Sequence, residues 1–195
     1  MSYLTNEAFQ EIYNNVKICS IMSKDIKNIN NYLFKTGEAK EYELFLKQDA
    51  KILEEKCITK TFLIIHKVTD ELIGYFTLSC DAVKLTNSEK SDTKLDDVAY
   101  RSLPAIKVGK LAVNKSLSEE VKRKGYGSFA LEIANTYAFE ALEIGIACRF
   151  LTVDADIEYD KNTPEFYLKN GFEYNLSVSK SGSSKTVSMR RDIFH

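Results

Sequence analysis

The sequence is poor in metal ligands. Its only histidines are His66 and His195, and its four cysteines, Cys19, Cys57, Cys80 and Cys148, stand singly with no Cys-x-x-Cys pair. Structural zinc sites draw on closely spaced Cys and His pairs, so the composition speaks against a zinc centre. Unpaired thiols are expected to be reduced, as in a cytoplasmic protein. No apolar run approaches the ~20 residues of a membrane span, and Met-Ser-Tyr-Leu-Thr-Asn-Glu has neither the basic nor the apolar segment of a secretory leader. These absences predict a soluble intracellular protein with no membrane partner.

An excess of one charge is missing too. The 27 Lys and Arg are matched by 28 Asp and Glu, for a net charge of −1, so no global basic field draws nucleic acid. The common nucleotide fingerprints are also absent. There is no Gly-x-x-x-x-Gly-Lys-Ser/Thr loop, and the dinucleotide pattern Gly-x-Gly-x-x-Gly is not completed, since Ala130 stands at its last place and no acidic residue closes a second strand at the usual distance. The acids Asp154, Asp156, Glu158 and Asp160 alternate, but without the glycine and closing glutamate of a calcium loop they read as solvated loop. No internal repeat or extended low-complexity segment occurs.

What is present is enough for one full-sized domain. The chain has 195 residues, is 44% hydrophobic and holds 11 Phe and 11 Tyr. Its organising stretch runs from Val108 to Ser128. Ile106 to Val113 reads as a strand and is followed by a polar loop, and Lys122-Arg123-Lys124-Gly125-Tyr126-Gly127-Ser128 then turns into a helix. In that helix Ala130, Ile133, Ala134, Tyr137, Ala138 and Ala141 recur at three-and-four spacing, which predicts one buried face. Glycines let a backbone approach a ligand closely, and the first-turn N–H groups have no partner within the helix, so the turn suits a phosphate. Lys122, Arg123 and Lys124 would add charge. The plainer reading is a helix-entry turn with a solvated basic rim.

Around this stretch the chain alternates. Asn6 to Asn14 reads as helix and Val16 to Met22 as a short strand. A helix is predicted from Ser23 to Phe34 and a second from Lys40 to about Lys56. Thr61 to Val68 and Leu72 to Cys80 read as a hairpin apolar on both faces, which places it inside a sheet. His66 falls within it and reads as a hydrogen-bonded strand histidine. Lys84 to Tyr100 reads as a polar insertion loop. After Gly145 come a strand over Ala147 to Val153, a short helix with Pro164 in its first turn and Gly171 at its end, and a final hairpin of Phe172 to Ser179 and Thr186 to Arg191.

This order resembles the GNAT superfamily of N-acetyltransferases. Leu111, Ala112 and Val113 look like the end of the family's fourth strand, whose backbone binds pantetheine. Lys122 to Gly127 match its Gln/Arg-x-x-Gly-x-Gly/Ala pyrophosphate loop, and Phe166, Tyr167, Gly171 and Phe172 match its Phe-Tyr-x-x-x-Gly-Phe segment. Departures are Lys122 in place of Gln or Arg, a longer loop from Asn114 to Val121, and Asp160 where many members have Asn. Glu43 to Ala50, Gly74 to Ser79, Leu103-Pro104 and Gly109 to Val113 are similar to the branch that includes toxins acetylating aminoacyl-tRNA.

The resemblance implies an α/β (α+β) fold, with a mixed, mostly antiparallel central sheet flanked by helices, in a single domain over residues 1–195. It implies acetyl-CoA as co-substrate, bound by Leu111, Val113 and Lys122 to Ser128, and Tyr167 as the acid that protonates the departing thiolate. A backbone N–H near Val113 would meet the oxyanion. The acceptor would be a small-molecule or peptide amine, with tRNA a second option that the near-neutral charge disfavours, and a homodimer is left open. A catalytically silent acyl-CoA-binding module is the alternative from another class, because the strand before the turn carries no carboxylate. Asp154, Glu158 or a water chain remain for the general base, and Tyr75, Cys80 and Asp81 for the acceptor side. For Tyr167 the alternative is a packing role.

Overall fold

The computed structural model describes residues 4–176 and 184–194. Helix α1 (Asn6–Asn15) is capped by Thr5 and leads into β1 (Val16–Ser20). A helical path then runs through α2 (Lys40–Leu44), a π-helical segment (Phe45–Asp49) and α3 (Ala50–Glu55). After β2 (Lys60–His66) and β3 (Leu72–Lys84) come α4 (Asn87–Asp92), β4 (Ser102–Val113) and the long helix α5 (Tyr126–Glu143). The chain continues as β5 (Phe150–Asp156), α6 (Thr163–Lys169), β6 (Glu173–Tyr174) and β7 (Thr186–Asp192).

The strands form one sheet in the order β1-β2-β3-β4-β5-β7-β6. Pairing is antiparallel between β1 and β2, β2 and β3, β5 and β7, and β6 and β7, and parallel between β4 and β5. The parallel ladder joins Ala105–Val108 to Phe150–Val153, after which β4 continues to Val113 and β5 to Asp156. This is the mixed, mostly antiparallel sheet expected from the motifs. Among the described residues no helix is long and apolar enough to cross a membrane.

The described residues group into two units, one built from 4–79 and 109–133, the other from 80–108 and 134–194. In the first, Phe34, Leu46, Ala50, Leu63, Leu72 and Tyr75 form a core with Ala112, and Phe9 of α1 packs on Phe129 of α5 at 5.0 Å between ring centroids. In the second, Val83, Leu85, Leu103, Ala105 and Phe150 pack together. That second unit also buries an ion pair. Glu89 and Arg190 meet at 2.7 Å with side chains only 2% and 4% exposed. Arg190 further donates to the Tyr174 carbonyl, and Glu89 accepts from the backbone N–H of Thr86 and Leu176.

Several sequence expectations need correction. Ser23 to Phe34 forms no α-helix but only a 3-10 turn (Ile29–Asn31), because the Asn28 side chain accepts from the Asn30 N–H and turns the backbone locally. The polar stretch Lys84 to Tyr100 is not all loop. Thr86 and Glu89 make a reciprocal capping box that starts α4. The strand expected from Ala147 begins only at Phe150 and extends through Asp154 and Asp156, which pair with Ser188 and Thr186 of β7. Residues 177–183 of the last hairpin lie outside the described residues.

Candidate functional site

The end of β4 is fixed by unusually close packing. A Cβ on Gly74 would stand 2.6 Å from the Ala112 carbonyl oxygen, so only glycine lets β3 run this near β4. At Lys110 the backbone N–H donates to the Thr77 hydroxyl, 2.9 Å away. Just beyond the strand, Asn114 is 5% exposed and uses its amide fully. Its Nδ2 donates to the Leu33 and Leu72 carbonyls at 2.7 and 2.8 Å, and its Oδ1 accepts from the N–H of Lys35 and Ser116 at 3.0 and 2.9 Å. Leu111 and Val113, the expected pantetheine residues, are half-buried on this anchored strand.

The glycine turn lies in the same unit. Gly125 has φ +100°, a conformation that L side chains rarely adopt, and α5 begins at the next residue. A Cβ at Gly125 would also stand 2.9 Å from the Leu4 Cδ1. The first obstacle to a larger residue is therefore the backbone and the N-terminal segment, not the space expected for phosphate. Tyr126 is buried, its hydroxyl donates to the Val121 carbonyl at 2.7 Å, and burial pushes its pKa up. Ser128 is buried as well, so these two residues offer a ligand their backbone alone. Lys122 reaches Glu119 at 3.1 Å and Arg123 reaches Glu11 at 2.8 Å, while Lys124 is exposed. Beside the turn is a cleft of about 470 Å³ lined by Glu11, Asn15, His66, Lys122, Arg123 and Tyr126, among others.

Tyr167 belongs to the other unit. Pro164 lies in the first turn of α6, and Gly171, at φ +79°, follows its end. Tyr167 is 8% exposed and meets Phe166 and Phe172 edge-on at 5.0 and 5.4 Å. Burial, reinforced by the charge of Asp156, pushes its hydroxyl up to about 12, so it holds its proton at neutral pH. The remaining candidates are engaged elsewhere. Asp154 pairs with Lys107, and Glu158 with Lys185 at 2.6 Å. Tyr75 is a core residue whose hydroxyl donates to the Tyr42 carbonyl at 2.8 Å, and Asp81 accepts from Thr152. Cys80 is exposed. His66 is the expected strand histidine, with Nδ1 3.0 Å from the Thr69 hydroxyl.

Sequence reading missed Lys110. Its ammonium stands 4.5 Å from the ring centroid of Tyr42 and 5.4 Å from that of Phe45. The period-two alternation that puts residues 110 and 112 on one face of β4 was the available signal.

No family model matches this chain, and no curated protein matches it in sequence. Solved structures do match it. A tyrosine-to-phenylalanine mutant of KacT superimposes with a TM-score of 0.65 at 22% identity, covering 89% of this chain and 94% of KacT. A tyrosine-to-phenylalanine mutant of the AtaT toxin, bound to the C-terminus of the antitoxin AtaR and to acetyl-CoA, gives 0.63 at 18% identity, with 92% and 94% covered. AtaT complexed with acetyl-methionyl-tRNAfMet gives 0.63 at 20% identity, with 90% and 94% covered. At these identities the likeness establishes the fold, which is GNAT-like.

Proposed function

We propose that the whole chain is one GNAT-like domain and that it is an acetyl-CoA-dependent N-acetyltransferase acting on a primary amine. What carries the reading is the anchored end of β4 running through a positive-φ glycine into an 18-residue helix, on a fold shared with a toxin solved with acetyl-CoA. Backbone groups at Leu111 and Val113 hold the pantetheine arm. The N–H groups from Gly125 to Ser128, with Lys122, Arg123 and Lys124, hold the pyrophosphate. The carboxylates now on Lys122 and Arg123 do not stand against this, because exposed pairs are worth only about 0–1 kcal/mol and exchange readily for phosphate.

In the chemical step the amine lone pair attacks the thioester carbonyl and the C–S bond breaks. Tyr167 gives its hydroxyl proton to the departing thiolate, and the N–H near Val113 steadies the oxyanion. Asp154 and Glu158 stand in solvent-exposed ion pairs that can exchange as readily, so the proton lost by the amine goes to one of them or to a water chain.

A second reading is favoured by the likeness to AtaT solved with its acetylated initiator tRNA. It makes the acceptor the α-amine of an aminoacyl-tRNA and adds a partner protein that restrains the enzyme, as AtaR binds AtaT. Incubation with labelled acetyl-CoA and a panel of amines, peptides and charged tRNAs separates these readings. Label on a charged tRNA, with an affinity that falls steeply as salt rises, selects the second. Acetyl-CoA that binds in calorimetry but is never transferred leaves a silent acyl-CoA module, and no binding overturns the assignment.

A further inference from the structure

We propose that Lys110, Tyr42 and Phe45 form an anchor for the acceptor, and that the acceptor carries an anionic group that this anchor holds. The inference rests on the acetyl-transfer reading for what the anchor serves. Lys110 lies three residues before Val113 on β4, which at ~3.3 Å per residue is about 10 Å along the strand. An acceptor whose anionic group sits there reaches the backbone assigned to the oxyanion if its amine lies roughly 10 Å from that group.

The chemistry of the site is specific. Lys27, Lys35, Lys107 and Lys122 each reach a carboxylate. Lys110 is half-buried and, among the described residues, has aromatic faces against it instead. Ring faces hold a cation from one side and accept no conventional hydrogen bond, so the ammonium keeps N–H donors for an incoming oxygen. The platform beneath it is rigid. Phe45 stacks on Tyr75 at 6.1 Å and 14°, and Tyr75 is 1% exposed and tied by its hydroxyl to the Tyr42 carbonyl. Phe45 also opens the π-helical segment, a departure from α geometry that recurs at functional sites.

A fixed cation, two ring faces and an acyl site farther along the strand fit an acceptor with a phosphate or carboxylate roughly 10 Å from its amine.

Lysine-labelled protein tests this by NMR. The Lys110 side-chain signal is identified by its loss in Lys110→Arg and followed during titration with phenyl phosphate and with phenylacetate, to about ten millimolar. Movement with phenyl phosphate alone marks a phosphate site, and movement with phenylacetate marks one open to carboxylates; either supports the anchor. In folded Lys110→Met, binding of the effective anion should weaken roughly tenfold or more, as expected for losing a charged hydrogen bond. Tyr42→Leu should cost a few-fold. If neither anion moves the signal while acetyl-CoA still binds the same sample, the anchor is overturned and the acetyl-transfer reading stands. If the anions bind and acetyl-CoA does not, the assignment to an acceptor is overturned together with that reading.

Discussion

Arg123 and Arg190 each meet a glutamate at nearly the same distance, 2.8 Å to Glu11 and 2.7 Å to Glu89, yet the two pairs are physically unlike. Around the first pair the side chains are 29% and 63% exposed, and around the second 4% and 2%. Water and salt screen the exposed pair, so Arg123 can release Glu11 for a better anion at little cost. The buried pair is almost closed to solvent; losing Arg190 would leave the Glu89 charge buried without its cation, whereas Arg190 without Glu89 still meets the exposed Glu173 at 3.4 Å. Distance alone does not distinguish a ligand-ready cation from a locked one; exposure does.

The contrast breaks hardest at the buried pair. Arg190→Met should destabilise the protein by about 3–5 kcal/mol, read as a lower urea midpoint with an unchanged slope. Replacing both Arg190 and Glu89 by methionine should recover much of that loss, since a well-packed apolar pair carries no desolvation penalty. A double variant as unstable as the single one would show that the hydrogen bonds to Tyr174, Thr86 and Leu176 matter more than the charges.

Tyr167 sharpens the comparison, because it is buried like Arg190 but is assigned a chemical role. Tyr167→Phe keeps the contacts to Phe166 and Phe172, so stability should move by less than about 1 kcal/mol. Turnover should fall by roughly 10²–10⁴, in kcat more than in KM. Unchanged turnover would make the tyrosine a packing residue after all.

A subtler separation comes from pH. Burial alone would raise the Glu89 pKa, but the N–H groups of Thr86 and Leu176, together with Arg190, hold it below the usual carboxylate range. A lowered folded-state pKa gives stability that is present above the unfolded value of about 4.5 and is lost as pH falls through the folded one. Acid titration of Glu89→Gln should therefore show a shallower loss of stability below about pH 4.5 than the parent. The smallest effect belongs to Arg123→Met, expected to change stability by no more than about 1 kcal/mol while weakening acetyl-CoA binding. Unaltered acetyl-CoA affinity would remove Arg123 from the phosphate site.

These differences also account for what could be read from the sequence. The β4–turn–α5 run and α6 were legible because glycine, proline and apolar spacing act within a few residues. Lys122 to Ser128 were legible as a turn, but not the burial of Tyr126 and Ser128 or the carboxylate on Arg123, because those come from Val121 and α1 through tertiary packing. Ile26, Ile29, Tyr32 and Leu33 mimic a helix stripe, yet Leu33 is 64% exposed and the asparagines decide the backbone. Thr86 and Glu89 carried a readable capping signal inside a stretch whose polarity suggested loop. That Glu89 would find Arg190 was not readable, since nothing local marks either as buried.

The π-helical segment has a consequence for how this protein can change. Its wider turn holds one residue more than an α-helical turn, so the helical phase before it is offset from the phase after it by about 100°. Leu46 and Ala50 are core residues, and Tyr42, ahead of the slip, packs against the same core and meets Lys110. Loss of a single codon at Lys47 or Gln48, neither of them a core residue, would bring the two halves into register. The path would stay helical, and Tyr42 would turn relative to Ala50. One small deletion would therefore re-aim the aromatic side chains beside Lys110 while leaving the helical path in place.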